Sequence, residues 1–243
     1  MRTESELYRF HSANLREVSR AIERVEIAAR RAIATVDEVT LRALIRLYAL
    51  LLGAWAECRL KKLLYEPSGF DQGDRTKIQE VSDQHGRWRT TVEMSFRKRF
   101  NLPHAAINSN TIPFTAAARY TECQQLLQDQ LRPVIELRNK FAHGQWAYLL
   151  NNDENDVSSA QMAAFKQENL MTLQFKRDLI NHLAALINDL VVSVVFDRDF
   201  DSHYARIAHT LSRLAHQRYV DYADRLQARH SRGKILRKAA GTT

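Results

Sequence analysis

The chain has few residues that interrupt a helix. Of its 243 residues, 7 are glycine and 4 are proline, so the residues that normally punctuate short strands are scarce. This scarcity disfavours a protein built from many short strands and favours long helices. Apolar residues make up 45% of the chain, which is sufficient for a substantial hydrophobic core.

Several other features are absent, and each absence excludes a class of protein. The two cysteines, Cys58 and Cys123, have the spacing of neither a disulfide framework nor a zinc site. The longest apolar run, residues 47–56, is shorter than the roughly 18 residues that span a bilayer, and the polar N-terminus lacks the pattern of a signal peptide. We therefore expect a cytoplasmic protein without membrane association. No glycine-rich phosphate loop, His-Glu-x-x-His motif or recognisable nucleophile motif occurs, and we expect neither metal nor cofactor.

Positive charge is in excess. The sequence carries 36 Lys and Arg against 28 Asp and Glu, a net charge of +8, and its pI is about 9.7. Such a balance favours a polyanionic partner, of which nucleic acid is the commonest. A soluble basic surface with no such partner is the alternative.

Apolar residues recur at steps of three and four over most of the chain, which is the period of a helix. The pattern predicts helices over about 4–36, 41–65, 75–100, 115–143, 168–198 and 200–229. The fourth should kink near Pro133, and the second, apolar on several sides, should be central. We predict an all-α, up-and-down helical bundle over residues 1–200. A basic C-terminal helix over 201–230 should pack on it or extend from it, followed by a flexible basic tail over 231–243.

Three polar residues lie on or beside apolar stripes of these helices. Glu57 needs a cationic partner there, either Lys61 one turn on or a residue of another helix. Arg138 falls on the apolar face of the fourth helix, between Val134 and Phe141, although arginine is rarely buried without a partner. His85 lies on the stripe of the third helix, and we interpret it as a core histidine with its hydrogen bonds satisfied.

The segment Arg-Asn-Lys-Phe-Ala-His-Gly, residues 138–144, ends the fourth predicted helix. An arginine five residues before a histidine is not specific in itself. Such pairs occur at Arg99/His104, Arg138/His143, Arg177/His182, Arg198/His203 and Arg225/His230. Arg138 and His143 differ from the others because Asn139 follows the arginine, small residues flank the histidine, and Gly144 is well placed to end the helix.

Helical geometry limits how Arg138 and His143 can act together. Five residues at about 100° each place the two side chains roughly 140° apart on a regular helix. They can meet only if the helix end loosens near Ala142, or if a second copy of the chain completes the site in a two-fold dimer.

The segment from Arg138 to His143, late in an all-α chain, resembles the signature of HEPN domains. These are helical-bundle proteins, many of them metal-independent ribonucleases of toxin–antitoxin and phage-defence systems. Their signature is an arginine, four to six residues and a histidine, often with a polar residue after the arginine; Arg138, Asn139 and His143 match it. Glu57 would correspond to the acidic residue that many members carry on an earlier core helix. The resemblance covers residues 1–200.

The resemblance implies an endoribonuclease that uses the 2′-hydroxyl of RNA as nucleophile. His143 would take or return a proton, and Arg138 would stabilise the charge that develops on the phosphate, with Glu57 and Asn139 in support. The products would be a 2′,3′-cyclic phosphate and a 5′-hydroxyl. The expected partners are RNA, with tRNA as one candidate, a second copy of the chain that completes the active site, and a regulatory protein.

Three other interpretations remain open from the sequence. Arg138 can be a buried ion-pair partner of Glu57, with His143 a cation at a helix end. The chain can be a non-catalytic helical module that binds nucleic acid or protein, or a purely structural assembly protein. The residues expected to contact RNA are Lys140, Arg206, Arg213, Arg218 and Arg225, and for the non-catalytic module the basic segment continues to Arg229 and Arg232.

Overall fold

The computed structural model describes residues 2–192 and 196–240 and is all-α, as predicted. An isolated bridge between Leu150 and Val157 is the β pairing found within these residues. A π-helical segment, Leu127–Leu131, joins α5 to α6. The helices are α1 (Glu4–Thr35), α2 (Glu38–Leu64), α3 (Gln72–Glu80), α4 (Gln84–Arg99), α5 (Phe114–Leu126), α6 (Arg132–Ala142), α7 (Ser159–Gln167), α8 (Leu170–Val192), α9 (Phe196–His216) and α10 (Tyr219–Ala240).

Local capping sets the ends of the first two helices. A capping box between Thr3 and Glu6 starts α1, which satisfies backbone N–H groups that have no partner inside the helix. Val36, in the left-handed conformation with φ 58°, ends α1. Asp37 then caps α2 by accepting a 3.1 Å hydrogen bond from the backbone N–H of Thr40.

Three of the predicted helices are divided, one of them in the C-terminal region. The helix predicted over 75–100 is α3 and α4, separated at residues 81–83, because Asp83 caps a new helix by accepting a 2.8 Å hydrogen bond from the N–H of Gly86. The helix predicted over 115–143 contains the π segment immediately before Pro133, where Arg132 N–H bonds to Leu127 O. Proline has no N–H and interrupts the regular ladder, so the irregularity lies where the kink was expected.

The C-terminal region also differs from the prediction. The helix predicted over 200–229 is α9 and α10, which separate at residues 217–218. The second of them continues through the segment expected to be flexible and ends at Ala240; residues 241–243 of that segment lie outside the described residues. The helix predicted over 168–198 corresponds to α8 as far as Val192; residues 193–195 also lie outside the described residues, and residues 196–198 belong to α9. Helix α7 was not predicted.

Helix α2 is central, as its composition predicted. It packs against α1, α6 and α8, and the side chains of Tyr48, Leu52 and Leu63 are fully buried. By length and composition alone α2 could cross a bilayer, and 44% of its most apolar stretch is buried inside the bundle. The core helix of a helical bundle meets the same criterion.

Helices α8, α9 and α10 complete the bundle. Helix α8 packs against α2, α4 and α9, and α10 packs along α1. Tyr219, Tyr222 and Leu226 of α10 pack against the core. The basic C-terminal helix therefore lies on the bundle.

Candidate functional site

Gly53 allows α2 and α6 to come together at the position of Arg138. A Cβ added at Gly53 would meet the Cγ of Arg138 at 2.7 Å and its Cβ at a shorter distance still. The absence of a side chain thus lets the stem of Arg138 lie directly against the backbone of α2. The carboxylate of Glu57, one turn further along α2, is then within reach of the guanidinium.

Glu57 contacts both of the cationic residues considered as its partners, Lys61 and Arg138. It accepts a 2.7 Å hydrogen bond from Lys61 Nζ and a 3.2 Å hydrogen bond from Arg138 Nη2. The hydrogen bond from Lys61 is the main reason that the pKa of Glu57 lies below its usual value, and the charge of Arg138 adds to the effect. Asn139 accepts a 3.0 Å hydrogen bond from Arg138 Nη1, so Glu57 and Asn139 together orient the guanidinium.

Arg138 faces a large cavity between α1, α2, α4 and α6. The cavity has a volume of about 920 Å³, within the range of cavities that bind small molecules or nucleotides. The Arg138 side chain is 33% exposed, so its remaining N–H groups are accessible to a ligand. The charged residues of the lining are Lys61, Arg87, Arg132 and Arg138 with Glu57, Asp83 and Glu136.

Two histidines line the same cavity, and neither was predicted to do so. The ring of His11 lies 4.9 Å from that of Tyr65, and burial together with the charge of Lys61 lowers the pKa of His11. Burial, with Arg89 and Arg132 nearby, lowers the pKa of His85. The interpretation of His85 as a core histidine with satisfied hydrogen bonds is therefore wrong: its side chain is only partly buried, it borders the cavity, and among the described residues its Nε2 has no hydrogen-bond partner.

His143 lies outside this lining. It caps the C-terminus of α6, is exposed, and its backbone N–H bonds to Asn139 O at 3.1 Å. Gly144, at φ +81°, ends the helix as predicted, and its N–H bonds to Phe141 O at 3.1 Å. Among the described residues, the cavity contains Arg138 and Asn139 but not His143. The single chain therefore does not bring the two signature residues together.

Lys140 closes the loop that follows α6. Its Nζ donates to Leu150 O at 2.7 Å and to Asn151 O at 3.4 Å. The structure places its ammonium group against backbone carbonyls, where it stabilises the loop. The role in RNA contact expected for Lys140 thus has no support from its hydrogen bonds.

The expected RNA contacts of the C-terminal region fall into two groups. Arg206, Arg213 and Arg225 are exposed and line two further cavities beside α8. Arg218 is exposed outside both cavities, with its Nε 4.0 Å from an oxygen of Asp221.

The chemistry available in the Arg138 cavity is anion binding combined with proton transfer. Its lining has one more permanent cation than carboxylates, and protonation of His11 and His85 would add two positive charges. Among the side chains that the structure describes, those of residues 2–192 and 201–236, no three His, Cys, Asp or Glu groups are placed so as to hold a metal ion.

Comparisons with protein-family models, with curated proteins and with solved structures found no match to this chain. The resemblance to HEPN domains therefore depends on the segment from Arg138 to Gly144 and its setting in an all-α bundle.

Proposed function

We propose that the chain is a metal-independent endoribonuclease in which Arg138 binds the scissile phosphate. The observation that carries the proposal is the position of Arg138, which is held by Glu57 and Asn139 at the wall of a cavity of about 920 Å³. A guanidinium oriented in this way presents permanent charge in a fixed geometry to a phosphate. Residues 138–143 resemble the signature of HEPN domains, many of which are toxins or phage-defence effectors. The same role is therefore part of the proposal for this chain.

The reaction requires a base for the 2′-hydroxyl and an acid for the leaving 5′-oxygen. As the 2′-oxygen attacks phosphorus, its proton goes to the base, the bond to the 5′-oxygen breaks, and the acid protonates that oxygen. The products are a 2′,3′-cyclic phosphate and a 5′-hydroxyl. Arg138 stabilises the charge on the phosphate oxygens, and a positioned histidine contributes roughly 10²- to 10⁴-fold.

A two-fold dimer would supply that histidine from a second chain. His143 is exposed at the end of α6, one turn beyond Asn139, and in the proposed dimer it would enter the Arg138 cavity of the partner chain. Two equivalent sites would form, because a two-fold interface repeats each contact. His11 and His85, which line the cavity within one chain, are the alternative proton-transfer groups.

The first experiment incubates the purified protein with tRNA and bulk RNA in excess EDTA. Wild type should produce cyclic-phosphate ends, and Arg138→Ala and His143→Ala should not. His104→Ala is the matched control, because His104 is an exposed histidine with an arginine five positions before it. Cleavage lost in His85→Ala or His11→Ala, but retained in His143→Ala, would assign the proton transfer to the cavity of one chain.

Mixing two inactive variants tests the composite site directly. Arg138→Ala and His143→Ala chains, combined in equal amounts, should regain about a quarter of wild-type activity, because half of the dimers are mixed and each contains one intact site. A site contained in one chain would regain none. RNA binding by wild type without cleavage would instead support the second candidate, a non-catalytic nucleic-acid-binding module, which the exposed arginines of α9 and α10 favour.

A further inference from the structure

Helices α8 and α9 lie antiparallel and form one wall and the floor of a groove. Asp189 Oδ2 of α8 lies 2.8 Å from His203 Nε2 of α9. At the other end, the guanidinium of Arg213 stacks 4.7 Å from the ring centre of Phe175. Residue numbers thus rise along one helix as they fall along the other. Helix α10 supplies the opposite wall near Phe175, where the hydroxyl of Tyr222 donates to Gln174 at 3.3 Å.

Two adjoining cavities make up this groove. One, of about 430 Å³, is lined by Asp178 and His182 of α8 and by Arg206, His209 and Arg213 of α9. The other, of about 250 Å³, lies between α8 and α10 and includes Arg225 and Arg229. Arg213 lines both cavities, so they form one continuous surface, here named the α8–α10 groove.

The arginines of the groove lack the partners that arginines have elsewhere in the bundle. Arg119 pairs with Asp201, and Arg177 pairs with Glu26. In the described part of the chain, by contrast, no ion pair or side-chain hydrogen bond involves the guanidinium groups of four groove residues, Arg206, Arg213, Arg225 and Arg229. All four are exposed. Unpaired guanidinium groups converging on one groove are suited to binding phosphate groups.

The spacing of the charges indicates an extended ligand. On α9, Arg206, His209 and Arg213 are three and four residues apart and so share one face, as do Arg225 and Arg229 on α10. The groove follows α8 from Met171 to His182, which corresponds to about 16 Å at 1.5 Å per residue. Four unpaired guanidinium groups spread over this length can contact up to four phosphates of one strand.

We infer that the α8–α10 groove binds the phosphate backbone of single-stranded RNA, separately from the Arg138 cavity. No residue that lines the groove lines that cavity. The carboxylate of Asp178 is the acidic group in the lining, and burial raises its pKa, which disfavours its charged form. The inference rests on the proposed function in taking RNA as the partner, but it does not depend on cleavage.

The test measures binding of a labelled single-stranded RNA in which every 2′-hydroxyl is methylated, so that 2′-attack is blocked. Fluorescence anisotropy gives the Kd of the full chain at a series of salt concentrations. Four phosphate contacts in the groove predict a slope of about −2.8 in a plot of log affinity against log salt concentration. Between 1 M and 0.1 M salt, this slope corresponds to an increase in affinity of about 600-fold. In the groove variant, alanine replaces Arg206, Arg213, Arg225 and Arg229. This variant should lose both the salt dependence and the affinity that the groove contributes.

A charge-matched control separates a site from the effect of net charge. The control variant replaces four exposed arginines of α1, Arg16, Arg20, Arg24 and Arg31, with alanine. It should keep most of the slope, and a groove variant with four lysines should keep most of it as well. Equal losses in the groove and control variants, or unchanged binding in the groove variant, would overturn the inference.

Cleavage of unmodified RNA distinguishes failure of the groove from failure of the proposed function. If the groove binds RNA but Arg138→Ala does not alter cleavage, the inference stands and the proposed catalytic site is wrong. If Arg138→Ala abolishes cleavage while the groove variant binds RNA as tightly as wild type, the proposed function stands and the inference is wrong.

Discussion

Replacing Gly53 with alanine tests how closely α2 and α6 must approach each other. The added Cβ would lie 2.7 Å from Arg138 Cγ, whereas ordinary contact begins at 3.4 Å. The Cβ of Arg138 is closer still, and its position is fixed by the backbone, so a change of rotamer cannot relieve the clash. The two helices must therefore move apart by at least 0.7 Å, the difference between these two distances.

The expected magnitude combines two opposing effects. Overpacking of this kind costs about 1–3 kcal/mol, and alanine in place of glycine within a helix returns up to about 1 kcal/mol. We expect a net loss of about 1–2 kcal/mol in the free energy of unfolding, measured by urea denaturation. The proposed ribonuclease activity should fall by about 100-fold, because a displacement near 1 Å at a catalytic group has effects of that size.

A second glycine provides the control. A Cβ added at Gly73, in the first turn of α3, would meet the carboxylate oxygen of Asp71 at 3.3 Å, and that side chain can adjust. Gly73→Ala should change the stability by less than about 1 kcal/mol and leave cleavage unaltered. A Gly53→Ala protein as stable and as active as wild type would refute the proposed role of the α2–α6 approach.

Two further predictions concern ion pairs. Because the pKa of Glu57 is lowered from 4.5, its contribution to stability is present above pH 4.5 and disappears as the pH falls through the folded-state pKa. Glu57→Gln should therefore lower the stability at pH 7 by about 0.5–1 kcal/mol, and urea titrations at decreasing pH should show this difference closing below pH 4.5; a constant difference would contradict the assignment. Lys176 and Glu168 form a nearly buried pair, with side chains 11% and 9% exposed. Lys176→Met should cost about 3–5 kcal/mol in thermal or urea unfolding, and the double variant Lys176→Met/Glu168→Gln should recover most of it; equal stability of the two variants would contradict a cost arising from the unpaired carboxylate.

The sequence predicted the long helices and the central position of α2, because an apolar repeat of three and four residues is a local signal. The break before α4 was also detectable, since Asp83 has the residue type and the position of a cap. The break between α9 and α10 has no proline or glycine to mark it. Helix α10 packs along α1, a contact between distant parts of the chain that the local sequence around the break does not reveal.

The candidate site was predictable only in part. An acidic residue beside an apolar stripe of α2 and an arginine on the apolar face of α6 each required a partner, and Glu57 and Arg138 contact each other. The position of His85 was not predictable in the same way, because a stripe shows that a residue faces the interior but not which cavity it borders. The placement of His143 outside the cavity follows from the helical geometry of residues five apart.

The packing of α10 along α1 has a consequence for the order in which the bundle can assemble during translation. A ribosome synthesises α1 first, yet the surface that α1 presents to α10 stays uncovered until residues 219–240 have emerged. The intervening helices can associate earlier, since α1 and α2 are neighbours both along the chain and in space. The contact between α1 and α2 can therefore form while the face of α1 that receives α10 is still uncovered, and that face closes only after the central helices have associated.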